Sequence, residues 1–426
     1  MKEQKTVCVL GAGIAGATVA HHLNQAGVRI YLVEKEPGIG GRAVEMGCKA
    51  TDTCLRCNVC VANELLRKVC ASPDIQIHTQ TQLSNLSAGE NGSRYTVTLK
   101  HEPNFINRNK CISCQACITI CPEECIEIPN SGVFPTVPII NYSRCRLSQG
   151  KKCSVCEKAC PVDAISMQDK TTESKIDIDS LVIATGYEPF DPKENASYSY
   201  GKSSNIITGI EAEQQLAATG KITRPSDGLR PKRIAFIQCV GSRTEEVYRR
   251  PEDTDYCSAV CCAYALRMAQ LIKHQNNESE VTVFYMDIQK FGKGFDDFYK
   301  KCKNSINFIR SRPYEIKQDN EGKLIVKFAQ KGPESQVSEQ QFDMVVLSVG
   351  IRPAKDTTAL AETLLVPIDE YGFLGFKGAS SLPDLQQDGI FAAGACESPK
   401  DIQSCMAQAE AVSAAVIRSL FGKHQT

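Results

Sequence analysis

The sequence has no tryptophan and no surplus of either charge: 49 acidic residues stand against 49 basic ones. Without a basic stripe there is no footprint for nucleic acid, and without a juxtamembrane Lys/Arg cluster there is none for a lipid surface. Long hydrophobic runs are also missing. The longest, such as LVIATG and MVVLSVG, have strand length and fall well short of the ~20 apolar residues a membrane helix needs. The chain enters an apolar strand almost at once, with no basic region leading into a cleavable apolar segment. The expectation is a cytoplasmic protein, associated with a membrane at most through partners.

Cysteine is what the sequence has in plenty. There are 22 in 426 residues. Disulfide frameworks belong to small secreted domains, so dense thiols in a large chain read as metal ligands or redox groups. Oxygen attacks such sites, which points to an anaerobic or strongly reducing setting.

The chain opens strand–turn–helix–strand, TVCVLGAGIAGATVAHHLNQAGVRIYLVE. Gly11-x-Gly13-x-x-Gly16 follows the strand and opens the helix, and Glu34 closes the next strand. Glycines allow a tight turn and close backbone approach, seating a pyrophosphate on the helix N-terminus, while Glu34 is placed to accept from ribose hydroxyls. Three further features select FAD over NAD. Gly40, Gly41 and Arg42 follow the acid, where two-dinucleotide-domain flavoproteins place a glycine pair near the pyrophosphate. Ala184-Thr185-Gly186 follows a strand, as where such chains cross between domains. The segment from Gly389 to Gly394 resembles the C-terminal flavin motif, although Ala395 and Cys396 stand where an Asp normally binds the ribityl chain. Ile14, Ala15, Lys35, Leu83 and Ile402 complete the expected cofactor contacts.

From residue 105 the composition changes to clustered Cys and Pro. Cys111-x2-Cys114-x2-Cys117-x3-Cys121-Pro122 is the bacterial ferredoxin run, in which three cysteines grip one cubane and the fourth reaches the other. The second half reads Cys145-x7-Cys153-x2-Cys156-x3-Cys160-Pro161, with an extended first spacing. The expected sharing is Cys111, Cys114, Cys117 and Cys160 on one [4Fe-4S] cluster, with Cys121, Cys145, Cys153 and Cys156 on the other. Two Cys-Pro repeats disfavour a zinc knuckle, and Cys125 is expected to pack.

Two other thiol groups are candidates for up to two more clusters. Cys48, Cys54, Cys57 and Cys60 are closely spaced, with Cys70 a substitute for Cys48; zinc or free thiols are the alternatives. In the second α/β segment Cys239, Cys257, Cys261 and Cys262 occur where a nucleotide domain would carry its glycines. There a cluster competes with a Cys257/Cys261 dithiol and with inert buried thiols. Cys8, Cys302, Cys396 and Cys405 read as packing residues, as do most aromatics of VTVFYMDIQKFGKGFDDFY. Lys293 reads as a solvated loop residue, with an anion contact as the alternative.

These residues together resemble the HdrA family, the flavin subunit of heterodisulfide reductases and their bacterial relatives. The carriers are VCVLGAGIAG, LVIATGYEPFDP, IAFIQCVGSR, YCSAVCCAYALRMA, VTVFYMDIQKFGKGFDDFY, VVLSVGIRP and IFAAGACESPKDI. The resemblance implies an α/β, thioredoxin-reductase-like flavoprotein with two dinucleotide-binding domains and an inserted 2[4Fe-4S] ferredoxin (α+β) domain. The expected boundaries are 1–104, 169–229 and 350–426 for the FAD domain, 105–168 for the insert, and 230–349 for an NAD-domain-like unit. It implies an electron-transfer complex with HdrB/HdrC-like, ferredoxin- or hydrogenase-linked or terminal-reductase partners, a homodimer within it, and in some relatives electron bifurcation. Shorter relatives resemble subunits of quinone-interacting oxidoreductases and benzoyl-CoA reductase complexes. Against the longer ones, no separate N-terminal cluster domain or C-terminal ferredoxin is seen, so their terminal acceptors do not carry over. The expected function is the exchange of two-electron flavin chemistry for one-electron cluster transfer. The competing classes are an NADPH-dependent dithiol oxidoreductase and a passive wiring subunit.

Overall fold

A computed structural model describes residues 4–89, 92–128, 137–244, 253–290, 292–330, 336–375 and 388–422. The chain starts with β1 (Thr6–Leu10), α1 (Ile14–Gln25), β2 (Arg29–Val33), α2 (Val59–Ala71) and β3 (Ile75–His78), followed by β4 (Thr81–Ala88) and β5 (Tyr95–His101). The cysteine-rich excursion contains α3 (Ala116–Ile120), β6 (Ile126–Glu127), β7 (Ile139–Ile140) and α4 (Val155–Ala159). It returns through β8 (Thr172–Ile178), β9 (Ser180–Ile183) and β10 (Tyr187–Pro189). Then come β11 (Ile206–Thr208), α5 (Gly209–Thr219), β12 (Arg233–Val240), α6 (Cys261–Gln275), β13 (Glu280–Phe284), α7 (Phe295–Lys303) and β14 (Asn307–Ile309). The chain continues through β15 (Glu315–Gln318), β16 (Leu324–Gln330), β17 (Gln336–Phe342), β18 (Met344–Val349) and β19 (Ile351–Pro353), and finishes with α8 (Thr357–Leu364), β20 (Ile390–Ala392) and α9 (Ile402–Phe421).

Runs such as TVCVL and SLVI are apolar without alternation because their strands are covered on both faces. They form a parallel sheet in the order β20-β9-β1-β2-β3. On one face α1 and α9 pack through Ala17, Ala20, Leu23, Val412 and Val416. The other face is covered by α8 and the antiparallel β4-β5-β8 sheet, through Val97, Leu99, Leu364 and the fully buried Cys8. Residues 102–171 leave this layer between two paired strands, β5 and β8, and an Ile106–Ile165 bridge closes the base of the excursion.

A second parallel sheet has the order β11-β18-β12-β13-β14, with β15-β16-β17 as an antiparallel layer beside it. The two crossings between the sheets, β10 and β19, pair with each other. One expected boundary moves. Residues 206–222 belong with the second unit and not with the first, because β11 pairs with β18, and Ile207, Ala212 and Leu216 bury against Ile234 and Phe236. Phe190 already sits in that unit's core. Phe284, Phe295, Tyr299 and Cys302 are buried there, Lys293 is exposed, and Phe291 lies outside the described residues. Among the described residues no helix is long and apolar enough to cross a membrane.

Candidate functional site

A cavity of about 1360 Å³ runs between the two sheets. Gly11, Gly13, Ile14, Ala15, Glu34, Lys35, Gly41, Arg42, Leu83, Ala184, Thr185, Gly186, Ala395 and Ile402 all line it. Gly16, Gly40 and Gly394 stand behind that wall, and their lack of a side chain is what lets it close. A Cβ on Gly16 would stand 1.9 Å from the Gly11 carbonyl oxygen, and one on Gly394 2.6 Å from the Ala15 Cβ. Gly40 bridges to Gly13 and donates from its N–H to the Ala12 carbonyl at 2.8 Å. Gly11 needs its glycine on both counts, with φ +96° and a Cβ position 2.3 Å from the Ala184 carbonyl oxygen.

The Glu34 carboxylate accepts the N–H of Ala12 at 2.8 Å and that of Glu36 at 3.0 Å, tying the glycine loop to the end of β2. Burial raises its pKa, and those two N–H groups oppose the rise. Lys35 pairs with Asp356 at 2.9 Å, and Arg42 with Glu45 at 3.3 Å. Thr185 Oγ1 is buried on the cavity wall without a hydrogen-bond partner among the described residues. An orphan hydroxyl beside a backbone cradle, with the N-terminus of α1 facing the same space, fits a dinucleotide with polar groups along its length. Cys396 turns away, bonding the carbonyls of Ile183 and Ala393, so only Ala395 of that pair faces the cavity.

In the excursion, Cys111, Cys114, Cys117 and Cys160 line one small cavity. Cys121, Cys125, Cys145 and Cys156 share a packed cluster with Cys111 and Cys117 of the first set, and the Cys121 and Cys125 sulfurs are 3.5 Å apart. Burial pushes the Cys156 thiol up to about 11, and nearby Cys153 and Cys145 add to the rise. The two halves repeat the same backbone: Glu124 and Asp163, each three residues after a Cys-Pro cysteine, have φ 46° and 47°.

The loop before α2 copies the loop before α3. Arg56 and Asn58 have φ 53° and 60°, and Ser113 and Gln115 have 54° and 63°. In each loop the N–H two residues after the first cysteine donates to its sulfur, Arg56 to Cys54 at 3.4 Å and Ser113 to Cys111 at 3.5 Å. Cys48, Cys57 and Cys60 line the large cavity. Cys70 is ten residues beyond Cys60 on the same helix, about 15 Å along the axis.

In the second unit Cys239, Cys261 and Cys262 are buried and Cys257 half-buried. The Cys261 thiol donates toward Cys239 and Cys262, which pushes Cys261 well up. That hydrogen bond, reinforced by Arg243 and Arg312 against the effect of burial, lowers Cys239 to about 7. Ala259 repeats the turn, with φ 58° and its N–H on Cys257 Sγ at 3.4 Å. Among the described residues no three His, Cys, Asp or Glu side chains converge on a single-ion position. A cubane sets its thiolates wider apart, because four irons and four sulfides lie between them.

Other cavity residues escape the sequence reading: Lys49, Tyr187, Glu213, Tyr264, Arg267 and Lys400. Tyr187 directly follows Ala184-Thr185-Gly186, and Lys400 precedes the Asp401 cap of α9, so both had a local signal. Lys49 and Glu213 had none. They form a buried ion pair at 2.6 Å.

Residues 9–46 match the NAD(P)-binding Rossmann-like domain family. The chain is 34% identical to the A-type subunit of the H(2):CoB-CoM heterodisulfide,ferredoxin reductase of Methanothermobacter thermautotrophicus, over 95% of this chain and 62% of that one. It is 36% identical to an A-type iron-sulfur subunit of the CoB--CoM heterodisulfide reductase of Methanopyrus kandleri, over 97% of this chain and 64% of that one. It therefore spans somewhat under two thirds of the length of these relatives. In fold it is similar to T. acidophilum thioredoxin reductase, with a TM-score of 0.53, 12% identity, and coverage of 98% of this chain and 100% of that one. The flavoprotein disulfide reductase RclA of Escherichia coli gives a TM-score of 0.53 at 13% identity, over 99% of this chain and 72% of that one.

Proposed function

We propose that the chain, which is 34–36% identical to A subunits of heterodisulfide reductases over 62–64% of their length, belongs to that HdrA-like family and is the flavin-bearing electron-transfer subunit of a larger oxidoreductase complex. One observation carries the reading: a single cavity joins a dinucleotide cradle to the thiols of the 48–60 loop and touches residues beside the other two cysteine regions. Its wall includes Gly11 and Glu34 on one side and Cys57 and Cys60 on another, with Ala259 and Val260, between Cys257 and Cys261, and Glu127 of the excursion.

In this proposal the N-terminus of α1 and the Gly11 loop take the pyrophosphate of FAD, and Glu34 orients the ribose. Thr185 and the N-terminus of α9 face the remainder of the cofactor. FAD supplies the exchange between two-electron and one-electron carriers. The excursion is an inserted ferredoxin domain with two [4Fe-4S] clusters, on Cys111, Cys114, Cys117 and Cys160 and on Cys121, Cys145, Cys153 and Cys156. A third cluster sits on Cys48, Cys54, Cys57 and Cys60, since Cys70 is too far along α2. A fourth sits on Cys239, Cys257, Cys261 and Cys262. The chain's own task is to fix the distances between these groups and keep water from them. Partners are HdrB/HdrC-like subunits and a ferredoxin-linked donor or acceptor, and any bifurcation belongs to that assembly.

The test is flavin and iron quantification with a spectroscopic redox titration of the anaerobically purified chain. Bound flavin with four cubanes is expected; no flavin, or fewer than two cubanes, overturns the reading. Reduction of the isolated chain's flavin by NADPH would favour the dithiol class instead.

A further inference from the structure

Helix α6 carries Cys261 and Cys262 at its start, and five residues on it sends Arg267 across to the other unit. Arg267 Nε donates to the Leu55 carbonyl at 2.9 Å, in the middle of Cys54-Leu55-Arg56-Cys57. Burial works against its charge, and the charges of Cys57, Asp401, Cys54 and Glu213 support it. The same helix meets the same loop a second time, where His274 Nδ1 lies 3.8 Å from Asp52 Oδ2. Lys49 and Gly47 anchor the start of the loop on Glu213, whereas Cys48, Cys54 and Cys60 are all exposed. A guanidinium keeps its charge, and its planar fork can bond a carbonyl while facing a second group.

We propose that Arg267 is the positioning residue of the 48–60 thiol site and sets its redox potential, fixing the loop through Leu55 and placing a permanent positive charge beside Cys57 and Cys54. The inference rests on the reading that these thiols hold a cluster. Reduction adds one electron to the cluster, with dithionite as the donor in the test below. The added negative charge is favoured by a cation alongside it in a partly dry site, so the potential is higher with Arg267 than without it. Because Arg267 belongs to the second unit, the potential also depends on how the two units are docked.

The experiment compares the full chain with R267Q and R267K, purified anaerobically and titrated with dithionite under EPR. In R267Q one cluster signal is expected to move to a more negative midpoint, with the ferredoxin-insert signals unmoved. R267K, which keeps the charge and loses the fork, is expected to recover most of that shift. Loss of a single cubane's iron in R267Q but not in R267K supports the same role. A readout free of clusters is alkylation after iron chelation: Cys54 and Cys57 are expected to label faster in R267Q than in the parent chain. Unmoved midpoints with unchanged labelling overturn the inference. C57S/C60S separates the two levels: unchanged iron there overturns the cluster itself, whereas loss of one cubane's iron beside an inert R267Q overturns only the role of Arg267.

Discussion

Glu397 stands three residues past Gly394 in the loop that leads to α9, with its side chain almost wholly buried. One carboxylate oxygen accepts from Lys400 at 3.3 Å and from Gln408, and the other is buried without a partner among the described residues. Burial raises its pKa to about 7 from an ordinary 4.5, against the pull of Lys400 and Gln408. Between those two values the native chain binds a proton that the unfolded chain has released. Stability therefore falls as pH rises through that window, by up to about 3 kcal/mol. Thermal midpoints measured anaerobically from pH 5.5 to 7.5 are expected to drop in the parent chain and to drop much less in E397Q. Equal slopes would place the titration elsewhere. The residue was legible only as part of ACESPKD, since nothing local says that this carboxyl is turned inward. Cys239 is similar: its place near the end of a strand was readable, but its left-handed backbone, φ 59°, was not. Such a conformation costs a side-chain-bearing residue about 1–3 kcal/mol, and it persists where the surroundings over-determine it.

At the scale of elements, the two Cys-x2-Cys-x2-Cys turns offer a direct comparison. Each ends on a helix whose cap is left-handed, Asn58 for α2 (φ 60°, ψ 11°) and Gln115 for α3 (φ 63°, ψ 6°). Spacing exposed both runs, whereas the identity of their backbones did not show, because Arg56, Ser113 and Gln115 are not residues that demand φ above zero. Asn58 is the exception, as asparagine tolerates that region better than most. If the 48–60 thiols hold the proposed cluster, N58G is expected to keep its iron, since glycine adopts the same angles without strain. N58V is expected to lose one cubane's iron, because a β-branched residue resists the turn by about 1–2 kcal/mol. Iron content and the visible absorption of the two variants decide it. Equal iron in N58G and N58V would mean that the turn is not needed for binding. The glycine cradle was legible further, since Gly16 meets Gly11 within the same strand–turn–helix, although the Ala184 carbonyl against Gly11 arrives from the end of a strand far along the chain.

For the whole molecule the decisive contacts are those that join the two units. Lys49, in the cysteine loop, and Glu213, on α5, are 2% and 6% exposed and pair at 2.6 Å. The Gly47 N–H also bonds Glu213, at 3.2 Å. Removing one partner of a buried pair leaves the other charge uncompensated, at a cost of about 3–5 kcal/mol. K49M is expected to lower the denaturation midpoint accordingly and to loosen the docking, and K49M/E213L to recover much of the loss. A K49M chain as stable as the parent would show that the pair is not closed in solution. The boundary near residue 190, where 229 was expected, has the same origin. A short strand such as β11 carries no mark of which sheet it joins, and only its pairing with β18 assigns it. What the sequence determined by itself lies within a few residues of chain, where covalent spacing limits the backbone: the Gly11-x-Gly13-x-x-Gly16 turn and the clustered cysteine runs. Tertiary structure alone decided that Cys48 and not Cys70 faces the cavity, that Lys49 meets Glu213, and that Arg267 reaches Leu55. Those meetings depend on how separately formed elements pack, and no local spacing encodes the distance between residues 212 positions apart in the chain.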